Sequence, residues 1–139
     1  MTPSPARDVA RQWVEKAEHD FTTAEHTLTL KTGCPYDTVC FHAQQCVEKY
    51  LKAVLTLRGI AFQKTHDLTE LLPLIPTDAH LTAFANDVAE LNPYAIETRY
   101  PGDWEPQTRD DAERAVAVAQ RLRHAIRTLL PADVCSTSR

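Results

Sequence analysis

His42, Gln45, Lys49 and Lys52 stand three, four and three residues apart, a spacing that puts them in one row along a helix. Two ammonium groups and an amide in that row could hold phosphate oxygens or a nucleic-acid backbone. The same row also reads as a solvated face. Glu48 stands four residues before Lys52, the favourable orientation for an intrahelical ion pair, which is worth only about 0.2–0.5 kcal/mol at a surface. Spacing alone leaves both readings open.

Three further groups could carry chemistry. Lys64-Thr65-His66-Asp67 stands at the mouth of the next helix, where free backbone N–H groups and the helix dipole favour an anion. Asp67 is itself a good N-cap for that position, and His66 could donate a proton, bind phosphate or be a surface residue. Arg99-Tyr100-Pro101, with Tyr94 and Trp104 on either side, suits stacking on a base or simply pins a long loop. Asp20 borders an apolar stripe beside Phe21, and a carboxylate there needs a partner such as a lysine of the second helix.

The elements that must position these residues are helical. Val9, Trp13, Ala17, Phe21, Ala24 and Leu28 recur at helical steps, predicting a first helix from about Asp8 to Leu30, stopped by Gly33 and Pro35. A wide apolar face predicts a second from Tyr36 to Leu57, ended by Gly59 and central to the core. Asp67, with Glu70 three residues on, opens a short or kinked helix ending near Ile75, because Pro73 strains an interior turn. Another helix is expected from Asp78 to Leu91. After a long loop from Asn92 to Gln107, Thr108 caps a last helix, and a tail follows from Pro131. Short connections make neighbouring helices antiparallel. The expected organisation is a single domain over 7–131 with a disordered tail over 132–139.

Composition narrows the function classes. The 139 residues suit one domain, with 43% hydrophobic and 24% charged residues in an ordinary globular balance. Only three glycines occur, which disfavours a fold of many short strands and tight turns. A net charge of −4 argues against a broadly cationic nucleic-acid binder, though not against a local basic face. No apolar run is long enough for a bilayer, and Met1 to Asp8 is unlike a signal peptide. The four cysteines lack zinc-like spacing and are expected as reduced thiols in a cytoplasm. No metal and no cofactor is expected. The sequence holds no P-loop, dinucleotide fingerprint, HExxH, GxSxG or paired CxxC.

Taken in order, Trp13, Ala17, Asp20 and Ala24, then Cys40-Phe41-His42-Ala43-Gln44-Gln45 running into Glu48-Lys49-Tyr50-Leu51-Lys52-Ala53, then Lys64-Thr65-His66-Asp67-Leu68 and Arg99-Tyr100-Pro101, resemble the HEPN family (higher eukaryote and prokaryote nucleotide-binding domain) over about residues 10 to 130. The resemblance implies an all-α, up-and-down four-helix bundle with an additional short helix, commonly a homodimer. It also implies a partner: many bacterial members pair with a small nucleotidyltransferase in toxin–antitoxin-like systems. Gln45, Lys49, Lys52, His66, Arg99 and Tyr100 match the family's motif and are the candidate nucleotide-binding residues.

Other members of the family are metal-independent ribonucleases using an Arg, four to six intervening residues and a His. None of the six histidines here has that spacing; Arg11 before His19 and Arg58 before His66 are each one residue too distant. Nuclease activity is therefore not carried over, and no catalytic residue is assigned. The expectation is a nucleotide- or RNA-binding module that partners a small nucleotidyltransferase. The alternatives are a ribonuclease toxin with a non-standard active site, built around His66 and Arg99, and a purely structural adaptor dimer.

Overall fold

The structure is a computed structural model that describes residues 4–96 and 105–136. Ser4 caps the first helix, α1 (Pro5–Leu28), by accepting from the Arg7 amide at 3.3 Å, and Pro5 occupies the first turn, where its missing N–H is no loss. A short turn through Gly33, which takes a positive φ, reverses the chain into α2 (Tyr36–Leu57). At the far end of α2, the Ile60 amide donates to the Leu55 carbonyl and the Gly59 amide to that of Thr56. Gly59 has a φ of +69°, so this is a glycine-based helix stop.

The next stretch is built from short pieces. A single helical turn, α3 (Leu68–Leu71), runs into a 3-10 turn at Leu72–Leu74, as Pro73 demands. The helix expected over Asp78–Leu91 is not continuous. It consists of 3-10 turns at Thr77–Ala79 and Thr82–Phe84, then α4 (Ala85–Leu91). The break falls at His80, whose φ of 59° is left-handed and incompatible with a continuing α-helix. Thr108 then forms a reciprocal capping box with Asp111 at the start of α5 (Arg109–Leu129). Residues expected to fray form α6 (Ala132–Cys135), with Val134 fully buried. Asp133 holds this turn against α1, accepting from Arg7 Nη2 at 2.6 Å. Among the described residues every regular element is helical, and no helix is long and apolar enough to cross a membrane.

α2 is the central helix: its buried residues extend around most of its circumference, from Val39 and Cys40 through Leu51 to Leu55. α1 and α5 lie along it. The buried stripe of α1 is Ala10, Val14, Ala17, Phe21 and Ala24, rotated from the one expected; Val9 is 43% exposed and Trp13 only partly buried. Small alanines let α1 lie close to α2, which tips the bulkier residues to the flank. From α5, Ala112, Ala115, Val116, Ala119, Leu122 and Ile126 complete the core. Burial raises the thiol pKa of both core cysteines, Cys40 to about 12 and Cys46 further still, so neither presents a thiolate near neutral pH.

One polar knot ties the three long helices. Glu18 of α1 takes two hydrogen bonds from Arg123 of α5, at 2.6 and 2.7 Å. It also accepts from the Tyr50 hydroxyl of α2, which in turn accepts from Arg127 Nη1 at 3.0 Å. Burial tends to raise the Glu18 pKa, but the Arg123 and Tyr50 hydrogen bonds outweigh it and hold the group below its ordinary 4.5. A depressed carboxylate pKa means the unfolded chain binds more protons. The stability from Glu18 is therefore present above about pH 4.5 and lost as pH falls through its folded pKa.

Acid titration followed by circular dichroism should show unfolding beginning below about pH 4.5, with a shallower pH dependence in Glu18→Gln. In the core, Leu122→Ala is expected to cost about 2–5 kcal/mol, read as a lower urea midpoint at unchanged m. Thr108→Ala, which removes the α5 cap, should cost about 1 kcal/mol.

Candidate functional site

The polar row of α2 lies along the seam with α1 and resolves into two clusters. Around Asp20, Lys49 Nζ donates to Oδ2 at 2.5 Å and His42 Nδ1 lies 2.7 Å from Oδ1. The partner that Asp20 needs is thus a helix-two lysine, as its position beside Phe21 implies, with His42 added. Because a carboxylate only accepts, the proton of this contact sits on His42 Nδ1. Both Lys49 and His42 keep part of their side chains in solvent.

The second cluster is deeper. Glu48 is 2% exposed and Lys52 6%, so their ion pair at 3.0 Å is an interior pair and not the solvated one that i, i+4 spacing suggests. Lys52 Nζ also sits 5.3 Å from the Trp13 ring centroid and 5.9 Å from that of Phe62, a cation lodged between aromatic faces. Gln45, buried as well, donates from Nε2 to Gln44 Oε1 at 2.8 Å and more weakly to Glu48 Oε1 at 3.4 Å. Every member of this cluster has a partner, as burial of polar groups requires.

What the cluster holds is His66. Its Nδ1 lies 3.0 and 3.1 Å from the two Glu48 oxygens, and its backbone carbonyl accepts from Gln44 Nε2 at 2.9 Å. Yet the His66 side chain is 71% exposed. The segment is pinned from its other side too: Asn92 Oδ1 accepts from the Leu68 amide at 2.8 Å, while Asn92 Nδ2 donates to Asp67 Oδ1 at 2.8 Å. Asp67 caps α3 through the Thr69 amide; the Thr69 hydroxyl foremost, then Asn92 and backbone amides, hold its carboxyl below the ordinary value. The start of α3 is therefore occupied by the chain's own carboxylate.

The six candidates separate accordingly. Gln45 and Lys52 are interior and paired; Lys49 is partly exposed and paired with Asp20; His66 faces solvent. Arg99 and Tyr100, like Trp104, lie outside the described residues. Sequence reasoning placed Gln44 in the motif but gave it no role, and gave Glu48 only a surface one. The available signal lay in their neighbours: Ala43, Cys46, Val47, Leu51 and Leu55 spread around the helix, which leaves only a narrow face for solvent.

Truncating one member of an interior ion pair strands the other, at a cost of about 3–5 kcal/mol. Lys52→Ala should incur a loss of that order by thermal or chemical denaturation, whereas Lys49→Ala, which leaves Asp20 in contact with His42 and partly with water, should lose clearly less. Equal losses would contradict the interior placement of Lys52.

The comparisons with known proteins agree with this architecture. The family model described as HEPN domain matches residues 10–129. A protein named "Putative toxin MJ1304" from Methanocaldococcus jannaschii is 31% identical over 87% of this chain and 88% of its own length. Among solved structures, TT1696 from Thermus thermophilus superposes with a TM-score of 0.75 at 32% identity, over 87% of this chain and 98% of that one. ST0689, described as an archaeal HEPN homologue, superposes with a TM-score of 0.66 at 25% identity, over 86% and 96% of the two chains. Family model, sequence relative and fold converge, and the chain belongs to the HEPN domain family.

Proposed function

We propose that this HEPN-domain chain is the toxin-like member of a cytoplasmic toxin–antitoxin pair, that it binds nucleotide or RNA through phosphate contacts around His66, and that its partner is a small nucleotidyltransferase. The toxin-like part rests on the similarity to the Methanocaldococcus protein. The site rests on one observation: an exposed imidazole held at both ring and backbone by buried Glu48 and Gln44. Surface histidines are ordinarily free to turn, and one held at ring and backbone presents its outer ring edge to a ligand with little left to order on binding.

In this reading the six candidate residues divide their work. His66 and Lys49 meet the phosphate, exposed Lys64, two residues before His66 in sequence, adds a cation, and Arg99 and Tyr100 supply a guanidinium and a stacking ring. Gln45 and Lys52 act behind the surface by keeping Glu48 in place. The functional unit is a homodimer. Phosphate binding by a few cations is salt-dependent.

Thermal melts with a panel of ribonucleotides and a short RNA test the site. A stabilisation that shrinks with added salt and is lost in His66→Ala with Lys64→Ala is expected, and no shift with any ligand would remove the reading. Incubation with total RNA and a chelator should leave the RNA intact; cleavage would favour the ribonuclease alternative instead. Co-purification with a co-expressed small nucleotidyltransferase tests the partner, and light scattering tests the dimer.

A further inference from the structure

The interior cluster determines which nitrogen of His66 is available. Both Glu48 oxygens face Nδ1, at 3.0 and 3.1 Å. A carboxylate only accepts, so in the neutral ring the proton is held on Nδ1 and the lone pair is left on Nε2. Glu48 is held in place by Lys52 at 3.0 Å and Gln45, and Gln44 fixes the backbone of His66 at 2.9 Å. The result is a nucleophilic nitrogen with a fixed tautomer and a fixed position.

Its surroundings bear on what it reacts with. A proton-transfer residue acting on the chain's own small substrate sits in a cleft that excludes water. The His66 side chain is 71% exposed. The cavity of about 340 Å³ beside it is lined by Phe62, Gln63 and Thr65, and by Glu70 and Leu71 of α3, and does not include the imidazole. A nucleophile that stands clear of its own protein is accessible to a donor carried elsewhere.

From this the geometry points to a modification site: His66 Nε2 accepts a phosphoryl group from an activated donor such as an acyl phosphate or a phosphoramidate. The Nε2 lone pair attacks phosphorus and a P–N bond forms. The donor's P–O or P–N bond breaks, and its electron pair leaves with the carboxylate or amine. The imidazole becomes cationic, and its Nδ1 proton remains hydrogen-bonded to Glu48, whose negative charge offsets the new positive one. Glu48 and Gln44 are positioning residues in this step. The product carries a phosphoryl dianion, whose three acceptor oxygens and negative charge stand where a neutral ring nitrogen stood.

The test uses the full chain with potassium phosphoramidate as the donor, followed by 31P NMR and mass spectrometry under alkaline conditions, where the P–N bond survives. The expected result is one phosphoryl group on His66, attached at Nε2, formed faster than at exposed His19, His26, His80 and His124. That signal should be lost in His66→Gln. In Glu48→Gln, checked for retained helix by circular dichroism, it should form more slowly and with attachment shared between the two ring nitrogens. The regiochemistry in the unaltered protein decides the matter even if that variant does not fold. Attachment at Nδ1, no preference for His66 over the other exposed histidines, or no reaction at His66 would each overturn the assignment. Acceptance of a phosphoryl group requires no nucleotide affinity, so this outcome and that of the nucleotide melts are independent.

Discussion

A carboxylate removed from water has to be answered by charge and hydrogen bonds, and Glu48 is such a carboxylate at the middle of the central helix. Its burial dictates what surrounds it. Lys52 must be interior to neutralise it, and Trp13 and Phe62 must flank Lys52 because an ammonium inside a protein gains from aromatic faces. Gln45 satisfies further acceptor capacity and is itself satisfied by Gln44. The remaining acceptor positions point at the turn before α3, which brings His66 to the surface in a single orientation. Half of the row first visible as a surface pattern, Gln45 and Lys52, is thus internal support for Glu48, and His66 is the external end of that support.

The same principle recurs at the other polar contacts between the long helices. Glu18 is balanced by Arg123 and Tyr50, and Asp20 by Lys49 and His42. Hydrophobic contact among Ala, Val and Leu faces tolerates small rotations and slips of one helix on another. A carboxylate on α1 matched to particular cations on α2 and α5 does not, because displacement leaves a partly buried charge without its partner. The apolar stripes bring the helices together, and the carboxylates set their register.

Much of this was legible in the residues. The bounds of α2, the cap at Thr108 and the shortness of the helix after Asp67 follow from local chemistry, and they hold. The need of Asp20 for a lysine was also readable, because a carboxylate beside Phe21 on an apolar stripe has few other solutions. The rest depended on distant parts of the chain. Nothing local says that α1 buries Ala10 and Val14 in place of Val9, since adjacent positions satisfy nearly the same period and only the partner helix chooses between them. The left-handed turn at His80 carries no glycine to announce it. Val134 looked like part of a polar tail until α1 supplied a surface for it. Glu48 and Lys52 read as a surface pair because i, i+4 spacing is the same in water and in the interior.

The clasp between Arg7 and Asp133 has a kinetic consequence. It joins positions 126 apart in sequence, whereas α1 and α2 are joined by only a short turn. Closing the short loop costs little entropy, so the α1–α2 hairpin can assemble early and locally. The contact of α6 with α1 closes a far longer loop and becomes cheap once α5 has docked and brought residue 133 back across the bundle. The clasp has the greatest sequence separation among the hydrogen bonds of the described residues, so its guanidinium–carboxylate pair carries the largest loop-closure cost and acts as a latch on the assembled bundle.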